Sequence, residues 1–351
     1  MTFPTQEQES FFWGHVQAFK YFGGVPHRIS YDNLGTAVKL VFEKTGKAGR
    51  PRQEVRAFVA FRSHYLFESH FCTPGQGHEK GQVEHAVGYT RRNALVPLPE
   101  ATSFEDLNQQ LLKHCLKEDS RKVSREVLTI GEAWEQERSS LLALPPSDYE
   151  CCDMKVVRLT PYSQATYETN RYSVPVNRVR REVTLKAYPF LVEIWDGTEL
   201  LAQHLRCYER EQDIFDPLHY LPLLEQRPGA FDYAKPLKQW RKDWPPSYHR
   251  MLTNLREKWP EGRGVQEFIR VLQLHQEHPA HLVEQAIEQA LALGCVHLDG
   301  VVYCLHQISD PRNASSPIPP DLDLSDRLDL DAMVRQPIDL SRYDQLLKQS
   351  W

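Results

Sequence analysis

The first part of the chain shows a helical pattern followed by a strand pattern. Phe12, Val16, Phe19 and Phe22 recur at helical intervals, and the two glycines that follow are typical of a helix C-terminus. The next stretch, PHRISYD, alternates apolar and polar residues and predicts a short strand that ends at Asp32. Ligands bind at the carboxyl ends of strands in α/β sheets, so Asp32 is the first candidate functional residue.

A second helix and strand precede a glycine-rich loop. Residues 54–64 predict a helix, residues 65–71 predict a strand, and the loop CTPGQGHEKG leads to a helix that begins at Gly81. An apolar face of that helix, which we expect to be buried, comprises Val83, Ala86, Val87 and Thr90. Glu84 lies off this face, and we expect its carboxylate to point into a cleft.

Later segments predict a change of architecture along the chain. Ser103 and Asp106 form a capping pair for a helix, and a further helix is expected at residues 130–143. Between residues 155 and 206 the apolar period becomes two, which predicts five or six short strands and a small barrel. Helices return after residue 216. The predicted helices are clearest in two ranges, 264–275 and 279–293.

Composition limits the class of protein. With 351 residues, 41% of them hydrophobic, the chain is long enough for two or three domains. It contains no run of 18 apolar residues and no N-terminal signal-peptide pattern, so we expect a cytoplasmic protein without a membrane partner. The seven cysteines show no C-x-x-C spacing, which argues against a zinc knuckle or a secreted disulfide framework, and the adjacent Cys151 and Cys152 are expected to be reduced thiols.

The net charge of −5 is small, but the charges are unevenly distributed along the sequence. From Lys39 to Arg62 there are seven basic and two acidic residues, whereas the segment from Asp321 to Asp344 contains seven aspartates. Nine basic residues are candidates for DNA contact: Lys47, Arg50, Arg52, Lys80, Arg91, Arg92, Arg178, Arg180 and Arg181. Each group of charges has a simpler interpretation as a solvated surface.

Two carboxylates supply the candidate chemistry. Asp32 and Glu84 would serve in acid–base catalysis, metal binding or an ion pair. Gly88 and Arg91 lie four and seven residues beyond Glu84 on the same helix face, so a cation stands beside an open space, which suits a phosphodiester substrate. The alternatives are a strand-end turn for Asp32 and a solvated charge for Glu84. His85, next to Glu84, is interpreted as a hydrogen-bonded residue and not as a metal ligand.

These residues carry a resemblance to a known family. The stretches FKYFGGVPHRISYDNLGTAV and PGQGHEKGQVEHAVGYTRRNALVPLP resemble the integrase-type core of insertion-sequence transposases, specifically the IstA-like proteins of insertion-sequence family twenty-one. LTPYSQATYETNRYSVP is similar to the Mu-type β-barrel that follows this core. The resemblance implies an α/β, ribonuclease-H-like fold. It divides the chain into a partial core (1–118), a helical connector (119–150), a small β-barrel (151–212), a helical region (213–307) and a flexible acidic tail (308–351).

The resemblance also implies a catalytic site. Family members use two aspartates and a glutamate to hold two Mg²⁺ or Mn²⁺ ions, and Asp32 matches the second aspartate while Glu84 matches the glutamate. No aspartate precedes Asp32, so we expect an N-terminally truncated transposase that is inactive alone. The expected reaction is cleavage of element ends and their transfer to target DNA.

Two other functions stay open from the sequence. The chain would alternatively be a catalytically inactive DNA-binding or interaction fragment that acts with a full-length transposase. An unrelated metal nuclease would need a third ligand, for which His78, Glu79 and Asp153 are the candidates.

The expected partners also follow from the resemblance. They are double-stranded DNA, other copies of the chain on DNA, and an ATP-hydrolysing AAA+ helper of the IstB type that docks on residues 321–351. The alternative for that tail is an inert segment. Aromatic residues of the helical region are predicted to lie in its core: Tyr233, Trp240, Trp244, Tyr248 and Trp259.

Overall fold

The computed structural model describes residues 1–31, 38–40, 52–72, 81–124, 126–176 and 182–309, with the backbone alone for residues 38–40, 52–54 and 81–84. The chain divides into two compact units, Met1–Leu223 and Leu224–Trp351. Helices and sheets are both present, which confirms the mixed α/β prediction. No helix among the described residues combines the length and apolar character that crossing a membrane requires.

Helix α1 (Gln8–Phe22) ends as its glycines predict. Gly23 takes a left-handed conformation with φ of 68°, and its N–H donates to the carbonyl of Lys20 at 3.1 Å. The N–H of Gly24 donates to the carbonyl of Phe19, also at 3.1 Å, which completes a Schellman motif. The direction in which the chain leaves α1 toward the first strand is therefore fixed by two local hydrogen bonds.

The first part of unit one contains a parallel strand pair. Its elements are β1 (Arg28–Tyr31), β2 (Val38–Leu40), β3 (Arg52–Glu54), α2 (Arg56–Tyr65), β4 (Glu68–Phe71), α3 (Gly81–Ala94), α4 (Phe104–Glu118) and α5 (Ile130–Glu137). Strand β1 pairs with β4 in parallel, and β2 pairs with β3 in antiparallel. The predicted strand 65–71 is shorter than expected, because α2 continues through Tyr65 and Leu66 takes a left-handed turn. A complete ribonuclease-H-like sheet is not contained in the described residues, and that assignment stays a prediction.

Aromatic side chains form the core around β1 and β4. The buried set is Phe12, Val16, Phe19, Val25, Tyr31, Phe58, Phe61, Tyr65, Phe67 and Cys151. The ring of Phe12 stacks on that of Phe61 with centroids 4.6 Å apart, and Tyr31 meets Phe58 edge to face at 5.2 Å. Helices α1 and α2 thus cover one side of the strand pair with interlocking rings.

The strand-rich segment forms two open sheets. Strands β5 (Asp153–Arg158), β8 (Glu182–Ala187), β9 (Leu191–Asp196) and β10 (Glu199–Leu205) make one antiparallel sheet in the order β10-β9-β8-β5. Strands β6 (Gln164–Tyr167), β7 (Asn170–Ser173) and β11 (Asp213–Ile214) make the other, in the order β11-β7-β6. Buried residues from both sheets share one apolar core.

The predicted closed barrel is therefore wrong for the described strands. Strand β7 pairs with β6 on one side and, in parallel, with β11 on the other, so both of its edges are occupied within the smaller sheet. Closure would require strands of the smaller sheet to pair with the larger one, and no such ladder is found among the described residues.

A buried guanidinium joins the two parts of unit one. The side chain of Arg206 is 0% exposed and donates to Glu9 Oε1 at 2.5 Å and to Glu7 Oε2 at 3.1 Å, both at the start of α1. It also donates to the carbonyl of Tyr188 at 3.1 Å and lies over the ring of Tyr208. The Glu9 side chain is only 7% exposed, and Arg206 is the cation that it contacts there.

Unit two is helical. Helix α6 (Leu221–Gln226) spans its boundary, and α7 (Lys235–Trp240), α8 (Pro246–Lys258), α9 (Arg263–Gln273), α10 (Ala280–Ala292) and α11 (Leu298–Ser309) follow. Helices α9 and α10 confirm the predictions at 264–275 and 279–293 to within two residues. Helices α8 and α9 approach closely at Gly264, where an added Cβ would lie 2.1 Å from the carbonyl oxygen of Leu255.

The buried ion pair leads to the first prediction. Arg206→Met should lower the free energy of unfolding by about 3–5 kcal/mol, because it leaves the Glu9 carboxylate buried without its partner. Urea-induced unfolding followed by circular dichroism measures this change. Adding Glu9→Gln to Arg206→Met should recover part of the loss, because the uncompensated charge is then removed.

Arg28→Met is the matched control for Arg206→Met. Arg28 also pairs with a carboxylate, that of Glu68 at 2.9 Å, but the two side chains are 66% and 70% exposed. Its removal should cost about 1 kcal/mol or less. Equal losses for the two variants would show that burial of Arg206 has no special role.

The close approach of α8 and α9 leads to the second prediction. Gly264→Ala should destabilise the protein by about 1–3 kcal/mol or more, because the new methyl group meets a rigid backbone carbonyl. Gly229→Ala is the control, since nothing lies within 4 Å of its Cβ position. Thermal unfolding curves that coincide for the two variants would contradict the packing described for Gly264.

Candidate functional site

The strand end that precedes Asp32 is held firmly. Parallel pairing reaches the last residue of β1, because the N–H of Cys72, which follows β4, donates to the carbonyl of Tyr31 at 2.9 Å. The Tyr31 ring is buried, and its hydroxyl lies 3.1 Å from His15 Nε2. His15 Nδ1 lies 2.8 Å from the carbonyl of Phe11, which only accepts, so Nδ1 carries the proton and Nε2 accepts from Tyr31.

Burial explains the charge state of this pair. It lowers the pKa of His15, against the opposing effect of the hydrogen bond to Phe11, and it raises the pKa of Tyr31. Both side chains are therefore neutral near pH 7, and their hydrogen bond is part of the core. Their function is to fix the backbone from which Asp32 departs. Asp32 itself lies outside the described residues.

Helix α3, which carries Glu84, is attached to α4 through one polar cluster. The hydroxyl of Tyr89 donates to Glu118 Oε2 at 2.8 Å, and Arg121 Nε donates to the same oxygen at 2.6 Å. The hydrogen bond from Tyr89, followed by that from Arg121, holds the pKa of Glu118 below its usual range. The Glu84 side chain is not among those that the structure describes. The closeness of its carboxylate to that of Asp32 therefore stays a prediction.

The predicted burial of the α3 apolar face is wrong for the residues described. Ala86, Val87 and Thr90 are all exposed, and Val87 retains 46% of its surface. The helix contacts α4 through Tyr89, which is not on the predicted face. Helical spacing identified which residues share a side, but no described element covers that side.

The arginines of α3 are accessible. Arg91 and Arg92 are exposed, and neither forms an ion pair with a side chain that the structure describes. The guanidinium of Arg92 lies over Gly88, where it would be 3.4 Å from an added Cβ. The space above Gly88 was predicted to lie beside Arg91. Arg92, which was not expected there, lies against this space. His85 is exposed as well.

Most of the other predicted DNA contacts are not described. Lys47, Arg50, Lys80, Arg178, Arg180, Arg181 and the alternative metal ligands His78 and Glu79 lie outside the described residues. Arg52 lies in β3, with its backbone alone described. Asp153 is already engaged: it accepts from Tyr167 at 3.0 Å and pairs with Lys155 at 2.7 Å.

In the described part of the chain, no group of three or more histidine, cysteine, aspartate or glutamate side chains is arranged to hold a metal ion. All seven cysteines are free thiols, including Cys151 and Cys152, for which this was expected. Burial raises the pKa of both Cys151 and Cys152 to about 12, so neither is a nucleophile near neutral pH.

A Ser–His–Asp group that sequence spacing did not reveal lies between β7 and the residues after β11. Ser173 Oγ is 2.8 Å from His219 Nδ1 and accepts from the backbone N–H of Asp216 at 2.8 Å. His219 Nε2 is 3.7 Å from Asp216 Oδ2, and His204 Nε2 is 2.7 Å from the Ser173 carbonyl. Ser173 is fully buried, so the group stabilises the smaller sheet and does not form a catalytic triad.

The two-sheet segment matches a known family of domains. The family described as Mu transposase, C-terminal domain, matches residues 144–216, which include all the strands from β5 to β11. This match places the segment in the class of transposase domains, in agreement with the predicted Mu-type region.

Whole-chain relatives are insertion-sequence transposases. A transposase from Aminobacter aminovorans is 34% identical over 352 residues, which cover 98% of this chain and 65% of that protein. The transposase for insertion sequences IS1326/IS1353 from Pseudomonas aeruginosa is 31% identical and covers 97% of this chain, and the transposase for element IS21 from the same organism is 27% identical over 231 residues. The predicted resemblance to IS21-like transposases is confirmed. The chain spans less than two thirds of the length of these relatives.

The buried histidine leads to the third prediction. Burial lowers the pKa of His219 to about 4, whereas an unfolded histidine titrates near 6.5. Between those values the unfolded chain binds more protons, so the free energy of unfolding should fall as pH drops from about 6.5 to 4, by at most about 1.4 kcal/mol per pH unit. Denaturation at several pH values measures this slope.

His219→Asn is the diagnostic variant for this pH dependence. Its amide oxygen replaces Nδ1 as an acceptor for Ser173 but does not titrate, so the slope between about pH 4 and 6.5 should be shallower than in the parent. His204 and Asp216, which face His219, are unchanged in the comparison. An unaltered slope would show that His219 does not contribute to acid sensitivity.

Proposed function

We propose that this chain acts in DNA transposition as part of an IS21-like transposase. Homology to insertion-sequence transposases over nearly the whole chain supports this role. The observation that carries the catalytic part of the proposal is the β1–β4 pair, which is hydrogen-bonded up to the carbonyl of Tyr31, the residue before Asp32 in the sequence.

Asp32 and Glu84 are proposed to hold Mg²⁺ or Mn²⁺ together with a third acidic ligand that is not assigned within this chain. Two carboxylates are hard oxygen donors of the kind that Mg²⁺ prefers. When bound, such ions supply activation of a water or 3′-hydroxyl and stabilisation of the leaving oxygen. Arg91 and Arg92, exposed on the helix that carries Glu84, would bind the adjacent phosphates and orient the DNA.

A second function, DNA binding without chemistry, has one observation in its favour. The exposed arginines of α3 and the two-sheet segment would be sufficient for backbone contacts in a mixed assembly with a longer transposase. Charge reversal at Arg178, Arg180 and Arg181 should then weaken duplex binding in a salt-dependent manner.

The proposed partners follow from the relatives and the resemblance. Element ends and target DNA are the proposed substrates, a homo-oligomer on DNA is the proposed assembly, and an IstB-type ATPase is the proposed helper at residues 321–351. The bacterial cytoplasm, with association to the nucleoid, is the proposed location.

The fourth prediction tests the catalytic proposal. The chain would be fused to the portion of the Aminobacter aminovorans relative that lies outside the match and assayed for strand transfer of labelled element ends. Asp32→Asn and Glu84→Gln should each reduce the rate at least about 100-fold, because each removes several kcal/mol of charge stabilisation in the transition state. Chelation of divalent ions should abolish the reaction.

Glu100→Gln is the control, since Glu100 is an exposed carboxylate that follows α3. It should keep full activity. A fusion that transfers strands equally well with Glu84→Gln would reject the proposed site. A fusion that binds element ends without any strand transfer would instead favour the non-catalytic function.

A further inference from the structure

In the described part of unit two the numbers of basic and acidic residues balance, but the net charge differs between its first and second parts along the sequence. Residues 227–263 contain nine lysines and arginines but only four acidic residues, whereas residues 264–309 contain five acidic residues and one arginine. The basic part includes α7 and α8, and the acidic part includes α10 and α11. The basic part of the unit is therefore the part that attracts a polyanion.

Some of the cations in the basic part are used internally. Arg241 and Arg256 both donate to Asp232, at 3.0 Å and 2.8 Å. Lys258 donates to the carbonyl of Val296 at 3.3 Å, and its ammonium lies over the ring of Trp259. These residues stabilise the fold and are not expected to contact a ligand.

Other cations share an exposed face of α7 and the turn that follows it. Lys235 and Lys238 are three positions apart on α7, Lys242 lies in the turn that follows, and all three are exposed, whereas Leu237 and Trp244 are buried. Lys238 and Lys242 form no ion pair with the side chains described. Arg250, near the start of α8, is likewise exposed and without an ion-pair partner among them.

Tyr233 adds an aromatic ring to this face. Its side chain is 78% exposed, contrary to the expectation that the aromatic residues of this region are buried. Trp244 and Tyr248, in contrast, do lie in the core. The ammonium of Lys238 lies 5.7 Å from the centroid of the Tyr233 ring, so a flat apolar group and a cation stand side by side.

The backbone that carries these side chains is rigidly supported. The guanidinium of Arg241 lies over the rings of Phe231 and Trp244, at 4.9 Å and 5.3 Å, while it bonds to Asp232. The Trp244 ring also packs 5.7 Å from His249, the neighbour of Arg250, and so joins α7 to α8. The backbone positions of these cations are thus set before binding, so little backbone entropy is lost when they contact a ligand.

We propose that Tyr233, Lys235, Lys238, Lys242 and Arg250, which we call the α7–α8 basic face, bind the phosphate backbone of double-stranded DNA without reading its sequence. The exposed cations of α7, the turn after it and α8 suit contacts with backbone phosphates, and the net negative charge of α10 and α11 disfavours binding through those helices. This inference rests on the proposed function in taking DNA as the ligand, but it adds a site remote in sequence from Asp32 and Glu84.

The experiment measures how salt affects duplex binding by the full chain. A labelled duplex of about 30 base pairs and mixed sequence is titrated by fluorescence anisotropy over a range of KCl concentrations. The triple variant Lys238→Ala, Lys242→Ala, Arg250→Ala should lower affinity about 10-fold or more near 100 mM KCl. The slope of log Kobs against log[KCl] should become shallower by about two to three, since each lost phosphate contact removes about 0.9.

A control variant separates local contact from overall charge. Gln276→Glu, Gln285→Glu and Gln289→Glu change the net charge by the same amount on exposed positions of the acidic side. This variant should keep the parent's slope. Circular dichroism should show both variants folded, because every substituted side chain is exposed.

The outcomes are distinguishable. An unchanged slope and affinity in the lysine–arginine triple variant, or equal effects in the control variant, would overturn the assignment of this face while the transposase function stands. Failure of the parent chain to bind any duplex would overturn both. A shallower slope in the first variant alone supports the α7–α8 basic face.

Discussion

The guanidinium of Arg206 connects the two-sheet segment to the helix on which the candidate site depends. Taking a charged group out of water costs several kcal/mol, and this cost is offset only where the partners are well placed. Arg206 meets that condition through Glu9, Glu7 and the carbonyl of Tyr188. Glu7 and Glu9 stand at the start of α1. The position of that helix is therefore fixed by Arg206, which lies 197 positions after Glu9 in the chain.

The consequences reach the strand end before Asp32. Helix α1 contributes Phe12 and Phe19 to the aromatic core, and the hydroxyl of Tyr31 donates a hydrogen bond to His15 Nε2. A displacement of α1 would therefore disturb β1 directly. The Glu84 side of the site is supported differently, because the only cluster described for α3 joins Tyr89 to Glu118 and Arg121. Asp32 thus follows a strand end that the aromatic core encloses. Glu84, in contrast, lies on a helix that is held by a partly exposed polar cluster.

Features that arise from local interactions were predictable from the sequence. The cap at Gly23 and the bond from the Asp106 N–H to Ser103 each involve residues within a few positions of one another. Periodicity likewise located α9 and α10.

Features that depend on tertiary packing were not predictable. Val87 belongs to an apolar stripe that stays exposed. Alternation of apolar residues in the strand-rich segment could not show that β11 would pair with β7. The bond between Arg206 and Glu9 has no local signal at all. The same holds for Tyr233 and Trp244, whose opposite exposures reflect tertiary packing. For the site, spacing identified Asp32 and Glu84 as candidates, but spacing alone does not establish a distance between two side chains.

A net charge of −5 is a poor guide to whether this chain binds a polyanion. Electrostatic interactions between exposed groups are screened over about 8–10 Å at physiological ionic strength, so a phosphate responds to the charges near it and not to the sum over the chain. Unit two illustrates the point, since nine basic residues lie in residues 227–263 and one in residues 264–309, whereas the acidic residues are spread over both parts. Pairing within the protein then selects among the cations: Asp232 neutralises Arg241 and Arg256, whereas Lys238 and Lys242 are left facing solvent on a backbone held by Trp244. A nucleic acid therefore responds to the exposed cations that form no ion pair within the protein. These cations can be identified only after the internal ion pairs are known.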